Sequence, residues 1–233
     1  ALSSAPLASI TTATVPTYDR AALKAGILHF GLGNFHRAHQ AVYLNDLFQS
    51  GQGHDWAIIG ASVREADAPI QQKLKGQHWL TTVVEQEADR ASATITGAMI
   101  DYIAPGDTAA ILARLRDPAI RIVSLTITEG GYYIDPATQA FDANHPDIAH
   151  DATHPDAPRT TFGLILAGLV HRRDNGIAPF TVMSCDNIPG NGHVTENAIA
   201  GLAEKIDPAL ARWVRDTVAF PNSMVDRITP ATT

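Results

Sequence analysis

The sequence predicts an α/β fold, a doubly wound and mostly parallel sheet with a small β insertion. Three observations point to it. Short apolar runs of strand length alternate with segments of helical spacing along nearly the whole chain. The first such run passes into a turn with two glycines, and a helical segment follows directly. Polar clusters follow the later runs, where open α/β sheets collect their ligands.

The elements follow in order. Ile27-Leu28-His29-Phe30 reads as a buried strand entering the turn Gly31-Leu32-Gly33. Residues 34–48 have helical spacing, with Ala38, Val42, Leu44 and Leu47 available for one face. Residues 56–60 form a second strand, which completes a βαβ unit and implies a parallel pair. Residues 79–84 and 93–96 read as a hairpin insertion. Asp107 can cap a helix reaching Leu115, and residues 120–125 are the next strand. A loop rich in Asp, His and Pro covers 135–158. Residues 160–172 read as a helix and 180–184 as a strand, with helices over 194–205 and 208–218. The first 16 residues are rich in Ala, Ser and Thr and lack the basic start and apolar centre of a secretory signal. They read as a loose arm, and the domain boundaries expected are 1–25 for the arm and 26–233 for one large domain.

Composition narrows the function. With 17 Lys plus Arg against 24 Asp plus Glu, the net charge of -7 argues against a nucleic-acid scaffold. The single cysteine, Cys185, allows no internal disulfide, so a cytoplasmic protein is the default expectation. No apolar run is long enough for a membrane span. The oligomeric state stays open and is compatible with a monomer.

A dinucleotide needs a strand, a turn free of side chains, and a helix whose first N–H groups face the diphosphate. Gly31 and Gly33 fit the first two glycines of that fingerprint; His36 occupies the third slot. A tight turn without a ligand is the bland alternative. No acid stands immediately at the end of the second strand, but Arg64, Glu65 and Asp67 follow. Asp67 could accept from a ribose 2′-OH and select NAD, whereas Arg64 could meet the 2′-phosphate of NADP. Three polar clusters fall near later strand ends: 126–131, 185–192 and 222–227. Asn187 can donate to a developing alkoxide and Asp226 can accept from a sugar hydroxyl. Lys24, Lys73, Lys75 and Lys205 are the only lysines, and none lies at an expected cleft edge.

These segments together resemble the mannitol dehydrogenase family, the polyol-specific long-chain dehydrogenases and reductases, in its N-terminal Rossmann-type domain. The resemblance runs from about residue 26 to the end. It is carried by Gly31-Leu32-Gly33-Asn34-Phe35-His36-Arg37-Ala38-His39, Ser124 to Glu129, Met183 to Asn187, Asn191-Gly192, and Phe220 to Pro230. It implies an NAD-dependent oxidoreductase, with NADP possible, acting on a polyol or ketose. It also implies roles: Gly31, Leu32, Gly33, Asn34 and Phe35 for the cofactor turn, and Asp67, beside Arg64, for cofactor choice. Asn187 would polarise the reacting oxygen, Val225 and Asp226 would touch substrate, and Glu129 would stand in the proton's exit path.

In that family the base is a lysine, followed five residues later by an asparagine and three after that by a histidine, in a helical C-terminal domain. This motif does not occur in the 233 residues, so the expectation is a partial family member, inactive alone. The wording Phe220-Pro221-Asn222-Ser223-Met224 and the Gly130-Gly131 after Glu129 favour the mannitol branch, oxidising mannitol to fructose. A fructuronate- or tagaturonate-type reductase, or a non-catalytic nucleotide-binding fragment, is the alternative. A metal hydrolase is disfavoured, because His145, His150 and His154 lie in an Asp-rich loop without the spacing of a zinc helix. His36 and His39 are expected to pack at the start of the first helix, and Cys185 to be a core residue rather than a nucleophile.

Overall fold

The computed structural model describes residues 7–225 and Thr229. β1 (Ala25–Phe30) leads into α1 (Asn34–Ala38) and α2 (Gln40–Gln49), and β2 (Ala57–Ala61) follows. Then come α3 (Ala68–Lys75), the strands β3 (Thr81–Gln86) and β4 (Ala91–Thr96), and β5 (Met99–Tyr102). The second half runs α4 (Thr108–Arg116), β6 (Ile122–Leu125), α5 (Pro146–Thr153), α6 (Thr161–Asp174), β7 (Thr181–Ser184), α7 (Asn191–Ile206) and α8 (Pro208–Thr217).

The main sheet has the order β5-β2-β1-β6-β7, and every neighbouring pair is parallel. The chain winds outward from β1 through β2 to β5, then crosses to the other side of β1 to lay down β6 and β7. The reversal falls between β1 and β6, which opens a crevice at their carboxyl ends. β3 and β4 pair with each other, antiparallel, in a two-stranded sheet apart from the main one, as the expected small insertion.

Helices cover both faces, and the strands are apolar because both of their sides are buried. Leu28, Phe30, Ile59, Val123, Leu125 and Val182 pack with Leu115, Ile165, Leu169 and Ile199 from the helices of the second half. On the other face Ile27, Ile58 and Met99 meet Phe48 of α2 and Leu74 of α3. Asp107 and Thr160 cap α4 and α6 through the N–H groups of Ala110 and Gly163, each worth about 1 kcal/mol.

Four details depart from the sequence expectation. The first helix is broken at His39 (φ −124°, ψ −80°), whose imidazole Nδ1 and N–H both turn back to the Phe35 carbonyl. α3 and the short edge strand β5 had no periodic signal of their own. Inside the Asp- and His-rich loop, α5 forms because His145 caps it, Pro146 opens it and Ile148 is buried beneath it. The segment before β1, expected to be loose, is fastened: Thr14 bridges to Thr94, and Arg20 donates to the carbonyls of His78, Gly97 and Met99. Among the described residues no helix is long and apolar enough to cross a membrane.

Candidate functional site

The crevice at the β1–β6 reversal is a cleft of about 440 Å³. Its walls include the glycine turn, residues 62–64 and Asp67 after β2, and residues 126–128 with Gly130 and Gly131 after β6; Glu129 does not line it. Gly31 has φ +96°, and a Cβ built on it would lie 1.9 Å from the Thr126 carbonyl oxygen. The fold therefore demands glycine there. Gly33 is different. It precedes α1 with an ordinary extended backbone (φ −75°), and a Cβ on it would meet nothing within 4 Å. Packing therefore does not demand glycine at this position of the cleft wall. Among the described residues no side chain caps the start of α1, and its first N–H groups have no intrahelical acceptor, as at any helix start.

Leu32, Arg64 and Asp67 line the same cleft. Arg64 is exposed, while Asp67 is half-buried and its carboxylate accepts from the buried Ser62 hydroxyl. The acid thus sits one short turn beyond β2, held in the wall. Asn34 is exposed, and its side-chain oxygen accepts from Arg37, which also donates to the Leu32 carbonyl at 2.9 Å. Phe35 and Val225 line a second, smaller cleft of about 240 Å³ with His36, Gln40, Met183 and Cys185; Thr126 belongs to both clefts. Asp226 lies outside the described residues.

Beneath the turn lies a polar cluster that sequence reasoning passed over. His29, inside the apolar run of β1, is fully buried and stacks on His36, with ring centroids 3.6 Å apart. Its Nδ1 is 2.8 Å from the Ser124 hydroxyl, and its Nε2 is 2.7 Å from the Gly31 carbonyl and 3.0 Å from the Thr126 hydroxyl. Thr126 also donates to the Gly31 carbonyl, at 2.6 Å. His36 Nδ1 bonds Gln40, which donates to Ser124 at 3.1 Å. Burial drives the His36 pKa down to about 4 and that of His29 well below its ordinary value, so both rings are neutral near pH 7. The only signal in the sequence was a histidine inside a strand otherwise made of apolar residues.

A second missed residue is Asp186. Its carboxylate is buried and accepts from the N–H groups of Ile127 and Thr128 at 3.0 and 2.9 Å and from the Tyr132 hydroxyl at 2.7 Å. It ties the loop after β6 to the loop after β7. Burial raises its pKa above the usual carboxylate value; the three hydrogen bonds oppose that rise, and the charge of Glu129 adds to it. The clamp holds Thr128 at φ +63°, ψ 165°, a conformation costly for a side-chain-bearing residue by about 1–3 kcal/mol. Glu129, the next residue, is exposed at the rim. Asn187, directly after Asp186, points out to solvent, and its amide has no hydrogen-bond partner among the described residues. Asn191 fixes the third polar cluster: its side chain bonds the backbone of Ser223 in both directions at 2.9 Å.

The remaining temptations resolve into structure. Burial pushes the Cys185 thiol up to about 11, so it is no thiolate nucleophile near pH 7. His39 packs its ring on Phe35, and His150 and His154 stack on each other. None of the four lysines forms part of either cleft wall.

Comparison with known proteins agrees with this geometry. The mannitol 2-dehydrogenase of Cereibacter sphaeroides is 60% identical over 220 residues, which is 94% of this chain and 46% of that protein. Among solved structures, a D-sorbitol dehydrogenase in substrate-free form superposes with a TM-score of 0.92 at 41% identity, covering 97% of this chain and 47% of that one. A ternary complex of Pseudomonas fluorescens mannitol 2-dehydrogenase with NAD and D-mannitol gives a TM-score of 0.91 at 45% identity, covering 96% and 46%. The chain thus spans about half the length of these relatives. The family model for the mannitol dehydrogenase Rossmann domain matches residues 25–233, and the chain belongs to that family.

Proposed function

We propose that this chain is the cofactor-binding portion of an NAD-dependent polyol dehydrogenase that oxidises mannitol to fructose by reversible hydride transfer. One observation carries the proposal: at the sheet's reversal point, Gly33 leaves open a cleft that nothing in the fold requires to be open. Residues 26–233 form the cofactor-binding unit, with the arm 1–25 before it. A diphosphate fits over Gly31, Leu32 and Gly33, where the backbone carries no bulk and the first N–H groups of α1, from Asn34 and Phe35, are free of intrahelical bonds. Asp67, held in the wall by Ser62, accepts from a ribose 2′-OH and repels a 2′-phosphate, so NAD is preferred over NADP. The exposed Arg64 next to it works the other way and keeps the preference finite.

A dinucleotide held over Gly31, Leu32 and Gly33 would supply a hydride acceptor for the carbinol carbon. The chain's own residues act around that carbon. Asn187, whose amide has no partner among the described residues, donates to the reacting oxygen as charge develops on it. Glu129 stands in the path by which the proton leaves. Val225 and Asp226 contact the polyol, the latter as acceptor for a hydroxyl. Mannitol is favoured over other polyols and over hexuronates by the 60% identity to a mannitol 2-dehydrogenase. No lysine in either cleft wall can act as base, so the 233 residues bind cofactor without turning substrate over.

Titration of the purified chain with NADH and NADPH, by fluorescence or calorimetry, tests this. Saturable NADH binding, tighter than NADPH, is expected. Failure to bind either would remove the cofactor assignment, and measurable mannitol oxidation by the 233 residues alone would refute the division of labour.

A further inference from the structure

The buried histidine of β1 has a direction built into its hydrogen bonds. The Gly31 carbonyl can only accept, so the proton of His29 sits on Nε2. Nδ1 is then an acceptor and takes the Ser124 hydroxyl proton. Ser124 in turn receives the Gln40 N–H, which leaves the Gln40 oxygen to accept from His36 Nδ1. The chain therefore runs in one sense from α1 to the glycine turn. It also accounts for the buried His36 Nε2, which has no partner among the described residues: that nitrogen is a bare acceptor, not a stranded N–H.

At its far end two donors, His29 Nε2–H and the Thr126 hydroxyl, converge on one carbonyl. In a trans peptide a C=O and the following N–H point in opposite directions, and there is no cis peptide here. Pulling the Gly31 carbonyl down into the fold therefore turns the Leu32 N–H outward. That N–H has no protein acceptor among the described residues, and both Gly31 and Leu32 line the larger cleft. We propose that His29, acting with Thr126, is a positioning residue for a dinucleotide diphosphate: it locks the Gly31–Leu32 peptide with its N–H facing the cleft, and it rests on the cofactor assignment made above. A glycine at φ +96° has more backbone freedom than any other residue. Without the two donors the peptide plane can rotate, and the N–H is lost from the phosphate site.

The test compares three variants with the parent chain, using NADH, ADP-ribose and adenosine as probes. His29→Phe keeps the ring and the stack on His36 but removes both nitrogens. Thr126→Val removes the other donor at nearly constant volume. His29→Gln restores an N–H near the Nε2 position. His29→Phe and Thr126→Val should each weaken NADH and ADP-ribose about tenfold, the worth of one well-placed hydrogen bond, and leave adenosine unchanged. His29→Gln should recover most of the loss. If His29→Phe does not fold, Thr126→Val alone decides. Parent-like affinity for ADP-ribose in the folded variants, or an equal loss for adenosine, would overturn the positioning role while leaving the cofactor assignment intact. A parent chain that binds neither NADH nor ADP-ribose would overturn both.

Discussion

Two glycines two residues apart should respond to the same substitution in opposite ways. Gly31→Ala places a methyl 1.9 Å from the Thr126 carbonyl oxygen, at a φ of +96°. The backbone conformation costs about 1–2 kcal/mol for an L-residue, and forcing the backbone just after β6 to yield adds roughly 1–3 kcal/mol. Together that is about 2–5 kcal/mol, or roughly 4–20 °C in melting temperature for a domain of this size. Gly33→Ala places its methyl in empty space at φ −75°. Alanine is a poorer N-cap than glycine by about 0.5 kcal/mol or more, but it also lowers the entropy of the unfolded chain by about 0.4–1 kcal/mol. The two nearly cancel, and stability should hardly move. NADH affinity should fall at least about tenfold, because the methyl fills the space proposed for the diphosphate. Urea unfolding and NADH titration of both variants separate the effects. A Gly33→Ala chain as unstable as Gly31→Ala, or one that binds NADH like the parent, would refute the assignment of fold to the first glycine and ligand to the second.

Further expectations concern three side chains. Asp67→Ala should weaken NADH about tenfold while leaving NADPH equal or stronger; parallel losses for both cofactors would place Asp67 outside the ribose site. Asp186→Asn keeps the shape but offers one acceptor oxygen where three donors converge, so urea unfolding should show a loss of roughly 2–4 kcal/mol, and parent-like stability would contradict the clamp. His36 has a folded pKa of about 4 against 6.5 unfolded, so between those values the unfolded chain binds more protons and stability rises with pH. The contribution is complete above pH 6.5, declines as pH falls toward 4, and amounts to roughly 3 kcal/mol. Melting curves of His36→Gln should be flatter than the parent's over that range, and an unchanged pH slope would sink the claim that the ring is buried and neutral.

Much of this fold was legible because its strands are buried on both faces. Such strands read as continuous apolar runs, and β1, β2, β6 and β7 all announced themselves in that way. β5 did not, because it is a four-residue edge strand separated from β4 by only two residues, and it carries Asp101. α5 was hidden in a stretch whose Asp, His and Pro content signals a loop, although the same residues supply its cap and first turn. The cleft wall was legible in its glycines and in Asp67, whose spacing from a strand end has a physical meaning. It was illegible where function depends on which way a side chain turns. Asp186 and Asn187 are neighbours with almost the same shape, and no pattern in the sequence separates them. In the fold one turns inward to hold three donors and the other turns outward, its amide unclaimed among the described residues. The inward residue holds the backbone from which the outward one projects, so a substitution at either is expected to impair the site, and only stability measured beside affinity tells the two causes apart.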